Sequence, residues 1–291
     1  MKSIQAYLKG WSSLFRYKWM WVLIYFSNFI LAFLAAIPVS GFLGNTVGHS
    51  LSLGRSVAGF DYIFLYELMN EYRDLIISIL NQSVLFVLLF LLLSVFLIGG
   101  ILNIFKKDQE RFSFNVFLKG CAKYFWRLFR LSVYFIIIQA IVLAIFFFIF
   151  SAMCNGLNPF EMESDKQIIN AFMLLAPIYV FLFTMISMIQ DYSKIHLVHE
   201  DPSLLFKTFK ESIKLVFKNF WRFFFLYLLN ILTLLASFGI YWFLKGLFDA
   251  STMITVFLML VVIQFFVIAR VGAKLLNLSS ATYLYKETRR N

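Results

Sequence analysis

The sequence predicts an all-α integral membrane protein. Its six transmembrane helices are built as three tandem units, each a basic amphipathic interfacial helix followed by a transmembrane hairpin, with both termini cytoplasmic. Three observations predict this. Only 14% of the 291 residues are charged while 62% are hydrophobic. A soluble domain carries roughly 25% charged residues, so lipid rather than water must cover much of the surface. Six apolar runs each reach the length of about 20 residues that a spanning helix needs. The connections between those runs alternate between Lys/Arg-rich and Lys/Arg-poor.

The runs cover 20–39, 84–103, 131–150, 168–189, 223–244 and 252–271, and none has a Lys, Arg, Asp or Glu in its central part. Lys2, Lys9, Arg16 and Lys18 before the first run imitate a secretory signal. The run is longer than a signal core of roughly 7–15 residues and is read as a retained helix. An even number of spans puts both ends on one side. Basic residues crowd the segment before the first run, the 2–3 and 4–5 connections, and the segment after the sixth. The opposite connections hold only Arg55 and Arg73, then Lys166, then Lys245. The positive-inside rule places the basic set in the cytoplasm. The expectation is a multi-pass membrane protein.

The net charge of +11 would suggest nucleic acid in a soluble protein. Here the basic residues flank apolar runs, which points to a membrane surface and to no nucleic acid. Cys121 and Cys154 fall on opposite sides of the membrane and cannot pair with each other. The long outer connection opens on Gly41, Gly44, Gly48 and Gly54. Over 56–80 it carries Val57, Phe60, Phe64, Leu68, Leu75 and Ile79 at helical spacing, predicting an outer amphipathic helix on the membrane or continuous with the second span.

A repeat carries the most information. Lys119, Lys123, Phe125, Trp126 and Arg127 precede the third span. Lys214, Lys218, Phe220, Trp221 and Arg222 precede the fifth in the same order and spacing. The basic residues recur every four positions and share a helix face. Phe114, Phe117, Leu118 and Cys121 line the other face of the first copy, and Phe206, Phe209, Ile213, Val216 and Phe217 that of the second. Asp201-Pro202 is expected to cap and start the second copy. Ile4, Tyr7, Leu8, Trp11 and Phe15, with Lys9 and Arg16 beside them, suggest a third copy at the N-terminus. The chain is then one membrane domain, 1–291, of repeat units 1–105, 106–191 and 192–291.

Within 199–229, the acidic turn Glu200-Asp201, the small Ser212, the basic Lys218 and the pair Phe220-Trp221 carry a resemblance. The segment resembles a loose group of bacterial six-helix inner-membrane proteins of unknown function, including the membrane domain fused to some glycerophosphodiester phosphodiesterases. The region before the third span shares the pattern in part. No soluble phosphodiesterase domain is present, so the resemblance implies an architecture and not that activity.

His196, His199, Glu200 and Asp201, with Asp191 upstream, form a polar cluster after the fourth span. It matches neither H-E-x-x-H nor H-x-x-E-H, and is read as a wet helix boundary rather than a metal site. Gln139, Asn230 and Gln264 share mid-span depth and form a candidate polar interior patch, read first as helix–helix packing. Mid-span ionisable residues are absent, which argues against a proton- or sodium-coupled carrier. Of the four prolines, only Pro177 interrupts a span centrally, which gives little support to broken carrier helices. There is no Walker motif and no G-x-S-x-G.

The resulting expectation is a non-enzymatic membrane protein without cofactor or metal. It would act in assembly, scaffolding or lipid contact through Lys119, Lys123, Trp126, Arg127, Lys214, Lys218, Trp221 and Arg222, engaging anionic membrane lipids or a protein partner. The alternative is a permease subunit for a lipid or hydrophobic solute, with Gln139, Asn230 and Gln264 along its path.

Overall fold

A computed structural model describes residues 2–42, 44, 66, 70–108, 111–154, 165–201, 205–247 and 252–290. Among them lie eight helices: α1 Lys2–Arg16, α2 Lys18–Phe42, α3 Arg73–Lys107, α4 Phe114–Met153, α5 Asp165–Glu200, α6 Leu205–Lys218, α7 Phe220–Gly246 and α8 Met253–Arg290. Six of them, α2, α3, α4, α5, α7 and α8, are long and apolar enough to cross a membrane. The protein is therefore all-helical and multi-pass. At 40 residues, α4 extends about 60 Å, twice the roughly 30 Å of a bilayer's hydrocarbon core.

The chain divides into two compact units. Val22–Ser94 forms one of them, holding most of α2 and the first part of α3. Within it Phe42 meets Tyr72 edge-on at 6.0 Å between ring centroids. Helix α3 starts at Arg73 and runs unbroken through the second apolar run. The described part of the expected outer helix is thus continuous with that span. Residues 56–65 and 67–69 of that expectation lie outside the described residues.

The other unit comprises Met1–Trp21 and Val95–Asn291. Its core gathers at the end where the basic residues lie. Leu14, Tyr17, Leu102, Ile104, Phe117, Tyr124, Leu128, Met188, Ile195, Phe223, Leu275 and Leu284 are almost wholly buried there. Burying each large apolar side chain contributes about 1.5–3 kcal/mol. Toward the other end the apolar side chains face outward: Phe148 is 68% exposed, Trp242 70% and Phe257 65%. In the most apolar stretch of α4 and of α8 only 6% of residues are buried against protein. An apolar surface this extensive needs lipid around it.

Close crossings and capped ends hold the basic end together. A Cβ at Gly120 would stand 2.4 Å from that of Asn103, so α4 approaches α3 there only as glycine. Asn103 then donates to the Val116 carbonyl at 2.9 Å. The Lys106 ammonium donates to the Val198 carbonyl near the end of α5 at 2.9 Å. Lys286 does the same for Phe105 of α3 at 2.8 Å. Cations on carbonyls that have no intrahelical partner satisfy the helix ends and offset their dipoles.

The surface helices depart from expectation in one copy. α1 and α6 are separate helices, each followed by a one-residue turn and then a span. The turns match: the Tyr17 amide donates to Ser13 at 3.1 Å and that of Met20 to Tyr17 at 2.9 Å, while the Asn219 amide donates to Leu215 at 3.3 Å and that of Arg222 to Asn219 at 3.0 Å. The middle copy has no such turn, because α4 continues from its basic segment into the third span. Both Lys123 and Arg127 bind Asp201, and the unbroken helix sets them one turn apart on one face.

Candidate functional site

The basic end carries the predicted residues, and the chain treats the two copies of the motif differently. In the first copy, the Lys123 ammonium donates to Oδ2 of Asp201 at 2.8 Å, and the Arg127 guanidinium donates to Oδ1. One carboxylate thus receives one cation on each oxygen. Lys123 foremost, by its hydrogen bond, holds the Asp201 carboxyl below the usual carboxylate range, and the charge of Arg127 adds to this. Asp201 is therefore not the cap expected for the next helix. Its φ of 51° is left-handed rather than the extended backbone of an N-cap, and its amide donates back to Leu197 at 3.2 Å. It terminates α5 instead. Pro202 lies outside the described residues.

Asp108 repeats this arrangement at the end of α3. Its φ is 45°, its amide donates to Ile104 at 3.0 Å, and its carboxylate accepts from Arg16 at 3.4 Å. Asp108 and Asp201 are the only non-glycine residues with positive φ among those described. Each follows the end of a long apolar helix, and each carboxylate reaches back to a basic residue ahead of the apolar stretch before that helix.

The second copy lacks such a partner. Lys214, Lys218 and Arg222 are exposed and have no acidic partner among the described residues. The only acid on α6, Glu211, is turned the other way, 3.0 Å from His196 and 3.4 Å from Arg289. The Ser3 hydroxyl donates to the Arg222 carbonyl at 2.9 Å, which fixes the backbone but leaves the guanidinium unengaged. Lys119 is exposed as well.

The aromatic parts of the two copies superimpose in geometry. Phe125 meets Trp126 at 5.4 Å and 65°, and Phe220 meets Trp221 at 5.6 Å and 68°. Phe125 stacks on Phe129 at 22°, and Phe220 on Phe224 at 20°. Trp126 and Trp221 are 64% and 78% exposed. The N-terminal segment falls in the same register. Trp19, 66% exposed, stands where Trp126 and Trp221 stand, three residues after Arg16, Lys123 and Lys218 respectively. Leu14, Cys121 and Val216 are buried at another common position, and Ile24, Leu131 and Leu226 at a third. Trp19 escaped the sequence reading because Met20 replaces the arginine that follows the other two tryptophans.

The three amides of the candidate polar patch lie on α4, α7 and α8. Asn230 is buried, and its amide donates to Asn277 Oδ1 at 3.0 Å and to Ser280 at 3.2 Å. Asn277 passes the chain of bonds on to Asp191 at 2.9 Å, which also accepts from Lys194 at 3.1 Å. Gln139 and Gln264 are half-buried. Of the polar cluster after the fourth span, His196 has both ring nitrogens occupied: Nε2 faces Glu211, and Nδ1 lies 2.7 Å from the Tyr285 hydroxyl. Nδ1 also lies 3.3 Å from the Arg289 guanidinium, and the Tyr285 hydroxyl donates to Glu200 at 3.4 Å. Asn277, Ser280 and Tyr285 sit on α8 far along the chain from their partners, and no local spacing marks them.

Comparison with protein families, curated proteins and solved structures finds no match to this chain. Of the expected resemblance, what stands is six apolar helices long enough to cross a membrane.

Proposed function

We propose that this protein is a non-enzymatic component of the bacterial inner membrane that organises anionic lipid, or a partner seated on that lipid, through its basic end. In this reading the basic end is cytoplasmic, and the chain comprises three tandem units of surface helix and hairpin. The observation that carries it is the common register of Trp19, Trp126 and Trp221, all exposed beside basic residues at the threshold of an apolar run. Tryptophan concentrates at the headgroup level, and Lys or Arg near an anionic leaflet contributes about 1 kcal/mol each. The matching turns at Tyr17 and Asn219 support the tandem units.

Asn230 is engaged by Asn277 and Ser280, which favours packing over a solute path at that point. The permease alternative would need open space beside it.

The test is the lipid that stays with the protein. Extracted in mild detergent and weighed intact, the protein should retain anionic phospholipid well above its fraction in the source membrane. Retained lipid of bulk composition would overturn the reading.

A further inference from the structure

We propose that Lys218 and Arg222 form a binding site for the phosphate of an anionic membrane lipid, held as Lys123 and Arg127 hold the carboxylate of Asp201. This inference rests on the lipid-contact reading and names the site within it. The chain supplies its own comparison. The same motif occurs twice, and in one copy its bound anion is visible: two oxygens on one centre, one for the ammonium and one for the guanidinium. The N-terminal copy also meets an anion, since Arg16 stands in the register of Lys123 and pairs with Asp108. Two of three equivalent positions are thus satisfied by an aspartate that ends a span in left-handed conformation.

The third position is not. Helix α8, which ends the corresponding hairpin, continues as helix to Arg290 instead of turning back through an aspartate. Glu211 is committed to His196 and Arg289. Lys218 and Arg222 therefore keep their donors for an anion from outside the described fold.

The surroundings select its class. Phosphate offers two oxygens on one centre, as a carboxylate does, with more charge to share between two cations. Phe217 is 61% exposed and Trp221 78% exposed beside the two cations, and the apolar run of α7 begins directly after them. A ligand with a phosphate and an acyl chain meets both the charge and the apolar surface, whereas free phosphate meets only the first. The turn at Asn219 falls between Lys218 and Arg222, so this pair spans a joint where Lys123 and Arg127 share one helix. A joint lets the two cations adjust to a ligand larger than a side chain.

The experiment uses the full chain in nanodiscs of phosphatidylcholine doped with phosphatidylglycerol, and counts retained phosphatidylglycerol after dilution into lipid-free detergent. K218Q/R222Q should reduce retention about tenfold, while K166Q/K245Q, which removes as much charge from two exposed lysines on the opposite connections, leaves it within about twofold. The charge-preserving K218R/R222K should restore retention, which separates a binding loss from a folding loss. Unchanged retention in K218Q/R222Q, or equal loss in both double variants, would overturn the site. Displacement of the lipid by soluble glycerol phosphate alone would overturn the lipid as the source of the phosphate. If the wild type retains no excess of phosphatidylglycerol, the lipid-contact reading itself fails. If the wild type retains it and K218Q/R222Q does too, only this site fails.

Discussion

Lys123 donates to Asp201 at 2.8 Å across 78 positions of sequence, tying the basic segment of α4 to the residue that ends α5. Arg127 closes the same carboxylate from one turn further along. Asp201→Asn removes the charge and leaves two cations facing an amide. Both partners are partly exposed, so the loss should be about 0.5–1 kcal/mol, read from denaturant unfolding in detergent micelles.

The same pair predicts a pH dependence. A carboxyl whose folded pKa lies below its unfolded value of about 3.9 stabilises the fold above that value. The contribution is lost as pH falls through the lower, folded pKa. Wild type should therefore exceed Asp201→Asn in stability near neutral pH, and the two should converge in strong acid. A gap that persists unchanged at low pH would assign the stabilisation to something other than this charge.

Gly120 and Gly239 should respond in opposite ways to the same kind of change. A Cβ at Gly120 collides with Asn103, and one at Gly239 meets nothing within 4 Å. Gly120→Ala should cost about 1–3 kcal/mol through overpacking. Gly239→Ala should stabilise α7 by about 0.5–1 kcal/mol, the helix-propensity difference. Unfolding midpoints of the two variants, measured side by side, decide this.

Tyr285→Phe deletes the buried hydroxyl that joins His196 to Glu200 and leaves Arg289 as the remaining polar neighbour of Nδ1. The expected cost is about 1–2 kcal/mol in unfolding experiments. His196→Phe/Tyr285→Phe should cost less than the sum of its single variants, since the bond they share is then lost only once.

Cys121 and Cys154 are both buried, which makes the native chain a quiet background for labelling. Lys214→Cys and Lys166→Cys place thiols at two exposed positions. A membrane-impermeant maleimide applied to intact spheroplasts should label the second and spare the first. Inside-out vesicles should reverse the pattern. Labelling of both from one side would refute six crossings with a cytoplasmic basic end.

The sequence was most informative where the physics is local. Apolar length gave the six spans, and a repeat of five residues marked two segments whose ring geometry recurs. Long-range pairing stayed hidden. Nothing near Asp201 announces that it serves α4 rather than capping α6, because the decision rests on a left-handed turn and on cations more than 70 positions away. Asn230 was read beside Gln139 and Gln264 because they share depth. Its partners are Asn277 and Ser280, chosen by which helix faces which. Trp19 was passed over because the match sought was of letters, whereas the equivalence is one of burial and exposure in register.

The unbroken course of α4 has a mechanical consequence. A helix of 40 residues is a rod with a single tilt, so any lean of its membrane portion swings its basic portion by the same angle. Helix α7 is separated from α6 by the turn at Asn219, so a lean of α7 need not turn α6 by the same angle. A change in bilayer thickness, which spanning helices absorb by tilting, would therefore be felt at Lys123, Arg127 and Asp201 and not at Lys214. An unbroken α4 thus couples the tilt of its apolar stretch to the Lys123–Asp201 contact, whereas the turn at Asn219 stands between the tilt of α7 and Lys214.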